Sequence, residues 1–482
     1  MSTVQEIRAL RGAGRFAEAL RNTSRISTHG TDRLSVDVLR AELLERTGNY
    51  AQSRDLVEIL ARHASLSASD RSICQLTLAR LDLTDKNIDS AVTHLQRSIA
   101  VAADVSDLER VCWSQLRLLQ VLADRSGPEV IAPLLGELRT NVTKLGHPQI
   151  TAALHITVAQ MEAQRGLVVN SQRHLALGLR CLNGFQNLWL EATAENVKAC
   201  LEMMRSRFDA GIAHAQRCLL ISQESGSASV CQSALGNLGN LAYLTGHFDD
   251  AADYTLRARS GLRPGSDNWN ACLETLARIS LSQNRLSDCA DLLDEIDQTI
   301  ATPGDHSRYV YRHTQLTRAR LMERTGSTDQ ALLHTDLALK LAQTAGDHLL
   351  LNVALLTKAA VLQQADRVSE MLSLLQSVAL TIQNEPTDLF AQYESILACA
   401  LASGGHPRVG LWHRKRAERV YTALRHVPGM LEVSRRWRRA TEMASDAKPE
   451  AKGEGDNLSF STAVVSDVAS IMLHTGRPEL VA

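Results

Sequence analysis

Aromatic residues are scarce. Phe, Tyr and Trp together make 4% of the 482 residues, and Leu, Ala, Arg, Glu and Gln dominate. That balance suits helices closed by small side chains better than sheets built on aromatic and β-branched surfaces. Ten prolines are too few for a loop-rich fold. Neither sign of charge is in excess: 52 Lys and Arg face 53 Asp and Glu, which excludes long-range attraction of the whole molecule to nucleic acid or anionic lipid. The most hydrophobic stretch, Leu349 to Leu362, is broken by Asn352 and Lys358, so no membrane span is expected. The opening residues, MSTVQEIRALRGAGR, lack the apolar core of a signal peptide. Nine cysteines with no C-x-x-C pair read as reduced, buried thiols of a cytoplasmic protein.

Catalytic signatures are also missing. There is no G-x-x-x-x-G-K-[ST], no G-x-G-x-x-G between a strand and a helix, no H-E-x-x-H and no G-x-S-x-G elbow. His406, His413 and His426 are read as exposed or helix-end residues, so no metal and no cofactor is assigned. The expectation is a protein that is not an enzyme.

What is present is a repeat. Its clearest unit runs from Ala234 to Ala258, ALGNLGNLAYLTGHFDDAADYTLRA. Leu235, Leu238, Gly239, Ala242 and Tyr243 share one face of a first helix, Gly246 ends it, and Phe248, Ala251, Ala252 and Leu256 begin the buried side of a second. The turn recurs as Gly14-Arg15-Phe16, Gly48-Asn49-Tyr50 and Ser206-Arg207-Phe208, and more weakly as Gly166-Leu167-Val168 and Gly326-Ser327-Thr328. A small residue early in each second helix appears at Ala19, Ser53, Ala91, Ser171, Gly211, Ala251, Cys289, Ala331 and Gly410. Successive spacings are 34, 38, 80, 40, 40, 38, 42 and 79, so the two long gaps each hide one degenerate unit, near 108–145 and 347–379.

This pattern resembles the tetratricopeptide repeat. The period is nearer 40 than the 34 of the minimal motif, and is similar to the sensor and regulatory regions of bacterial transcription activators. The resemblance implies an all-α, right-handed superhelical solenoid of antiparallel helix pairs, about ten or eleven of them over residues 1–444, with first helices on the concave face. Irregular geometry is expected near 108–145, where Gly127, Pro128 and Pro133 interrupt the pattern, and near 347–379. Residues 445–457, SDAKPEAKGEGDN, read as a flexible linker. Residues 458–482 turn amphipathic again, with Val464, Val465, Val468, Ile471 and Met472 at helical spacing. That ending, closing on PELVA, is similar to the junction that follows such an array in some sigma-54-dependent activators.

Aligning the units on their turns places Thr77, Arg80, Gln160, Asn237, Asn240, Thr275, Arg278, Thr317, Arg320 and Arg324 where this family faces its groove. Asn can pair with a peptide backbone and Arg can fork onto carboxylates; a merely hydrated inner face would need no such role. The implied function is a regulatory or sensory module in bacterial signalling or transcription control, holding a protein or peptide. A stand-alone assembly scaffold is the alternative. So is nucleic-acid binding through the basic segment 412–439, where Arg414, Lys415, Arg416, Arg435, Arg436, Arg438 and Arg439 cluster with Trp412, Tyr421 and Trp437. A solvated cap helix would carry the same residues.

Overall fold

A computed structural model describes residues 4–26, 31–123, 125–126, 128–300, 309–379, 381–382 and 386–446. Among them are 23 helices and no strand. The first pairs are α1 (Val4–Gly12) with α2 (Phe16–Thr23), α3 (Thr31–Arg46) with α4 (Tyr50–Ala61), α5 (Ala68–Thr84) with α6 (Ile88–Asp104), and α7 (Leu108–Ala123) with α8 (Pro128–Leu145). Next come α9 (Pro148–Gln164) with α10 (Val168–Leu182), α11 (Leu188–Met204) with α12 (Phe208–Ser225), and α13 (Ala228–Leu244) with α14 (Phe248–Ser260). The last are α15 (Asp267–Ser282) with α16 (Leu286–Thr299), α17 (Tyr309–Thr325) with α18 (Thr328–Ala345), α19 (His348–Gln364) with α20 (Val368–Ala379), and α21 (Asp388–Ser403) with α22 (Pro407–Leu424). A single helix, α23 (Val427–Asp446), follows them. Together they form a tetratricopeptide-like superhelical solenoid.

One local rule builds each pair. Ten of the turns between first and second helix hold a residue in the left-handed region, at 14, 48, 86, 166, 206, 246, 284, 326, 366 and 405. Glycine is free to adopt that conformation, and six of the ten are Gly; Lys86, Ser206, Asn284 and Asp366 accept its cost. Five residues further on, in all ten, comes the position where the helices approach most closely. Ser53 and Ser171 sit there fully buried and donate their hydroxyls to Ala41 O and Ala159 O at 2.7 and 2.6 Å. At Gly410 an added Cβ would stand 2.6 Å from Ala398 O.

The two units expected to be irregular are regular pairs, α7–α8 and α19–α20. Their close-approach positions hold Ile131 and Met371, 4% and 0% exposed. Large side chains there erase the small-residue signature without abolishing the pair. Pro133 is accommodated inside α8. α23 carries the array to Asp446, so Ser445 and Asp446 are helical and not part of a linker. The remainder of the expected linker and the whole of the expected helix over 458–482, with its junction likeness, lie outside the described residues.

First and second helices differ in how much they bury. α10 buries Ser171, Leu175, Gly178 and Leu182, a single stripe at spacings of four and three. α9 buries Ile150, Ala152, Ala153, Leu154, Ile156, Thr157, Val158, Ala159, Met161 and Ala163, which is most of its circumference. Second helices therefore form the outer layer and first helices an inner layer packed from both sides. Each Leu or Ile buried there contributes roughly 1.5–3 kcal/mol.

The solenoid also coils tightly enough for successive turns to touch. Leu188 N and Asn187 Nδ2 donate to Ala13 O and Gly12 O at 3.0 and 2.9 Å. His348 N donates to Arg165 O at 3.0 Å, and Asp388 N to Ser206 Oγ at 3.0 Å. Gly246 meets the side chain of Val427. The last three contacts join residues 183, 182 and 181 apart, about four and a half repeats of 40. Helix-pair turns in one superhelical turn thus rest on the starts of inner helices in the next, along a continuous seam.

Candidate ligand-binding inner face

The rule that locates the close approach also locates the inner face. Eleven residues before the close-approach positions from 53 to 331 stand Glu42, Arg80, Gln120, Gln160, Cys200, Asn240, Arg278 and Arg320, one from each inner helix from α3 to α17; the same offset at the ends of the array falls on Arg8, Ala360 and Cys399, the last two buried. Five of these, Arg80, Gln160, Asn240, Arg278 and Arg320, are among the residues expected to face the groove. Glu42, Gln120 and Cys200 belong to the same row and were missed; the fixed offset of eleven would have found them.

Not all of the expected residues meet solvent. Thr77, Thr275 and Thr317 are 1%, 3% and 1% exposed, which corrects their assignment to an open groove. Thr317 Oγ1 donates to Glu274 Oε1 at 2.7 Å, and Thr275 Oγ1 to Ala271 O at 3.0 Å. These hydroxyls are consumed between and within inner helices because the inner layer is packed on both sides. Arg80 is also buried and reaches Glu42 at 3.4 Å and Glu45 at 3.6 Å.

The rest are half-buried. Asn237 Nδ2 donates to Asn196 Oδ1 at 2.9 Å, bridging α13 and α11. Arg278 binds Asn240 Oδ1, pairs with Glu274 at 3.0 Å and lies 4.9 Å from the centre of the Tyr243 ring. Arg324 donates to Asn284 Oδ1 at 2.6 Å. Gln160 and Arg320 make no hydrogen bond or ion pair among the described residues, so both remain available. Arg320 is close enough to His313, Tyr421 and His426 to act on their titration.

At the N-terminal end of the inner face, four arginines gather around Glu42. Arg11 grips Glu42 with two hydrogen bonds of 2.7 and 3.0 Å. Burial alone would raise the Glu42 carboxyl; the charges of Arg11 and Arg80 outweigh it and hold the group well below the usual carboxylate range. Arg46 lies over the rings of Phe16 and Trp189, at 5.2 and 4.9 Å. Burial, and then the charge of Arg80, push Arg46 down to about 9.

The basic segment does not form one surface. Arg414 pairs with Glu418 at 2.7 Å, and Arg416 with Glu394 at 3.1 Å while stacking near Phe390 and Trp412. Arg435 and Arg436 turn inward to Glu323, at 3.4 and 3.3 Å, and both also bind Glu432. Tyr421 is 2% exposed, so it cannot stack on a base. Lys415 and Arg438 are exposed and Arg439 half-buried. The cations expected to act together are thus divided between internal ion pairs and solvent.

Away from the inner face, a cavity of about 640 Å³ lies between α8, α9 and α10, lined by Arg139, Leu154, His155, His174 and Cys181 among others. His155 and His174 share a hydrogen bond there, Nδ1 to Nδ1, at 3.1 Å. No helix among the described residues is long and apolar enough to cross a membrane.

No protein-family model and no curated protein matches the chain. Solved structures do resemble it. NprR in complex with its cognate peptide NprX is 12% identical, with a TM-score of 0.47 over 73% of this chain and 97% of that one. A Rap protein complexed with Competence and Sporulation Factor is 12% identical, with a TM-score of 0.34 over 87% and 96%. The APC/C hetero-tetramer Cut9–Hcn1 is 12% identical, with a TM-score of 0.40 over 90% and 95%. The helix pairs and their turns establish the architecture independently of these similarities.

Proposed function

We propose that this chain is a non-catalytic scaffold whose inner face holds a peptide or an extended protein segment, serving as a regulatory or sensory module in bacterial signalling or transcription control. The observation that supports this reading is the row of polar side chains on inner helices in the middle of the array, one each on α7, α9, α13, α15 and α17: Gln120, Gln160, Asn240, Arg278 and Arg320. Packed helices stand about 8–10 Å apart. An extended chain advances up to roughly 3.3–3.6 Å per residue, so neighbouring rungs match every third residue of a bound strand. Amide rungs suit its backbone and guanidinium rungs its carboxylates.

Gln160 and Arg320 are the residues to change, because neither is spent on the fold. The double variant Gln160→Ala, Arg320→Ala keeps the helical circular dichroism of the parent and loses the partner that the parent captures by affinity purification. A variant that captures an unchanged set of partners would overturn the assignment of the inner face.

A further inference from the structure

Among the described residues, the ion pairs of the arginines around Glu42 all go to two carboxylates, Glu42 and Glu45. Arg11 is satisfied by its two bonds to Glu42. Arg80 shares Glu42 and Glu45 at 3.4 and 3.6 Å. Arg46 approaches Glu45 no closer than 3.8 Å, and neither Arg46 Nε nor Glu45 Oε2 makes a hydrogen bond. Arg110, on α7, forms no ion pair among the described residues, and its Nη1 is buried without a partner. Its charge is felt by the same group: after burial, Arg11 and then Glu42 act on it most, followed by Glu109 and Asp107.

These side chains come from α1, α3, α5 and α7, four successive inner helices, so the cluster lies on the inner face and not in one repeat. Arg11 and Arg46 retain 16% and 15% of their side-chain surface and Arg80 8%, so the group is still reached by solvent. Its rim is aromatic. Trp189, brought in from the next superhelical turn, lies 5.9 Å from Trp113 and 6.4 Å from Phe16 between ring centres, and Arg46 lies over it. An unanswered guanidinium in such a setting is costly, and the cost is removed when an anion completes the set.

We infer that the first turn of the superhelix binds an oxyanion, a carboxylate or phosphate group of a ligand, between Arg46, Arg80 and Arg110. The inference rests on the reading that the inner face is the ligand side and adds the chemistry it prefers at this end. Guanidiniums on three helices accept a planar or tetrahedral oxyanion through forked N–H donors. Trp113, Trp189 and Phe16 give the site an apolar rim that suits an anion attached to a larger molecule.

The test uses the full chain and two probes, sodium phosphate and the peptide acetyl-Glu-Glu-Glu-amide, against sodium chloride at matched low ionic strength. Wild type gains melting temperature saturably with at least one probe and not with chloride; which probe works tells phosphate from carboxylate. Arg110→Leu, with Arg110→Gln as a second variant, melts no lower than wild type without anion, because a half-buried guanidinium with an unpartnered Nη1 has been removed. It binds the effective probe at least tenfold more weakly. Arg438→Leu, on the exposed side of α23, responds as wild type. The inference is overturned by a wild type that responds to neither probe beyond chloride, by Arg110 variants that respond undiminished, or by Arg110 variants that melt lower without anion. Because no partner is needed, this experiment can succeed or fail separately from partner capture.

Discussion

His313 sits on α17 beside Arg312 and within reach of Arg278 and Arg320. Burial, and then these three charges, push it down to about 3, against about 6.5 in an unfolded chain. A base whose folded pKa lies below its unfolded value binds fewer protons when folded, so its contribution to stability is complete above about pH 6.5 and is lost as pH falls towards 3. Other histidines add in the same direction. His94, His174 and His334 each stand 19 residues after an inner-helix partner, Gln75, His155 or Gln315, and bond to it at 2.6, 3.1 and 2.9 Å. Burial pushes all three down. The urea midpoint should therefore fall between pH 6.5 and pH 4.5, with His313 contributing a slope of at most about 1.4 kcal/mol per pH unit. In His313→Asn that slope becomes measurably shallower. A slope identical to wild type would mean that His313 is not held neutral by its surroundings.

Within a helix pair, stability turns on the close-approach position, and there the cost of a substitution has a readable sign. At Gly410 an added Cβ would meet Ala398 O at 2.6 Å and Ala402 N at 3.1 Å, so Gly410→Val should overpack α21 against α22 and cost about 1–3 kcal/mol. At Met371 the opposite change, Met371→Ala, empties a fully buried site and should cost about 2–5 kcal/mol. Urea titration of the two variants checks both, and a neutral Met371→Ala would show that α19 and α20 prefer the small residue found elsewhere. The same pair of residues explains what the sequence discloses. Small side chains at nine such positions mark their pairs from composition and spacing alone, whereas Ile131 and Met371 conceal two pairs because large buried side chains stand where the pattern has small ones. The inner row is legible once its offset of eleven is known, since Gln160 and Arg320 recur in phase with the turns. Its internal pairing is not. Whether Arg435 reaches solvent or Glu323 depends on a contact 112 residues away, which no local pattern encodes.

Across the whole molecule, the seam holds successive superhelical turns together through contacts between turns and helix starts. Two turn glycines separate the seam from the pair that carries it. Gly166 and Gly326 both have positive φ, 72° and 82°, so alanine at either pays a similar left-handed cost, about 1–2 kcal/mol. Around Gly326 an added Cβ meets nothing within 4 Å, whereas at Gly166 it would lie 2.7 Å from both N and Cβ of Leu349. Leu349 belongs to the helix start whose His348 N donates to Arg165 O across the seam at 3.0 Å. Gly326→Ala should therefore weaken one pair and leave the molecule's dimensions unchanged. Gly166→Ala should weaken its pair comparably and also part the turns, seen as a larger radius of gyration by small-angle scattering and faster hydrogen exchange at the His348 amide. Since turn contacts close over the inner helices, the parted form should also exchange faster along α9 and α19, next to Gln160. If Gly326→Ala expands the molecule as much as Gly166→Ala, the loss of a helix pair, and not the seam, governs its dimensions.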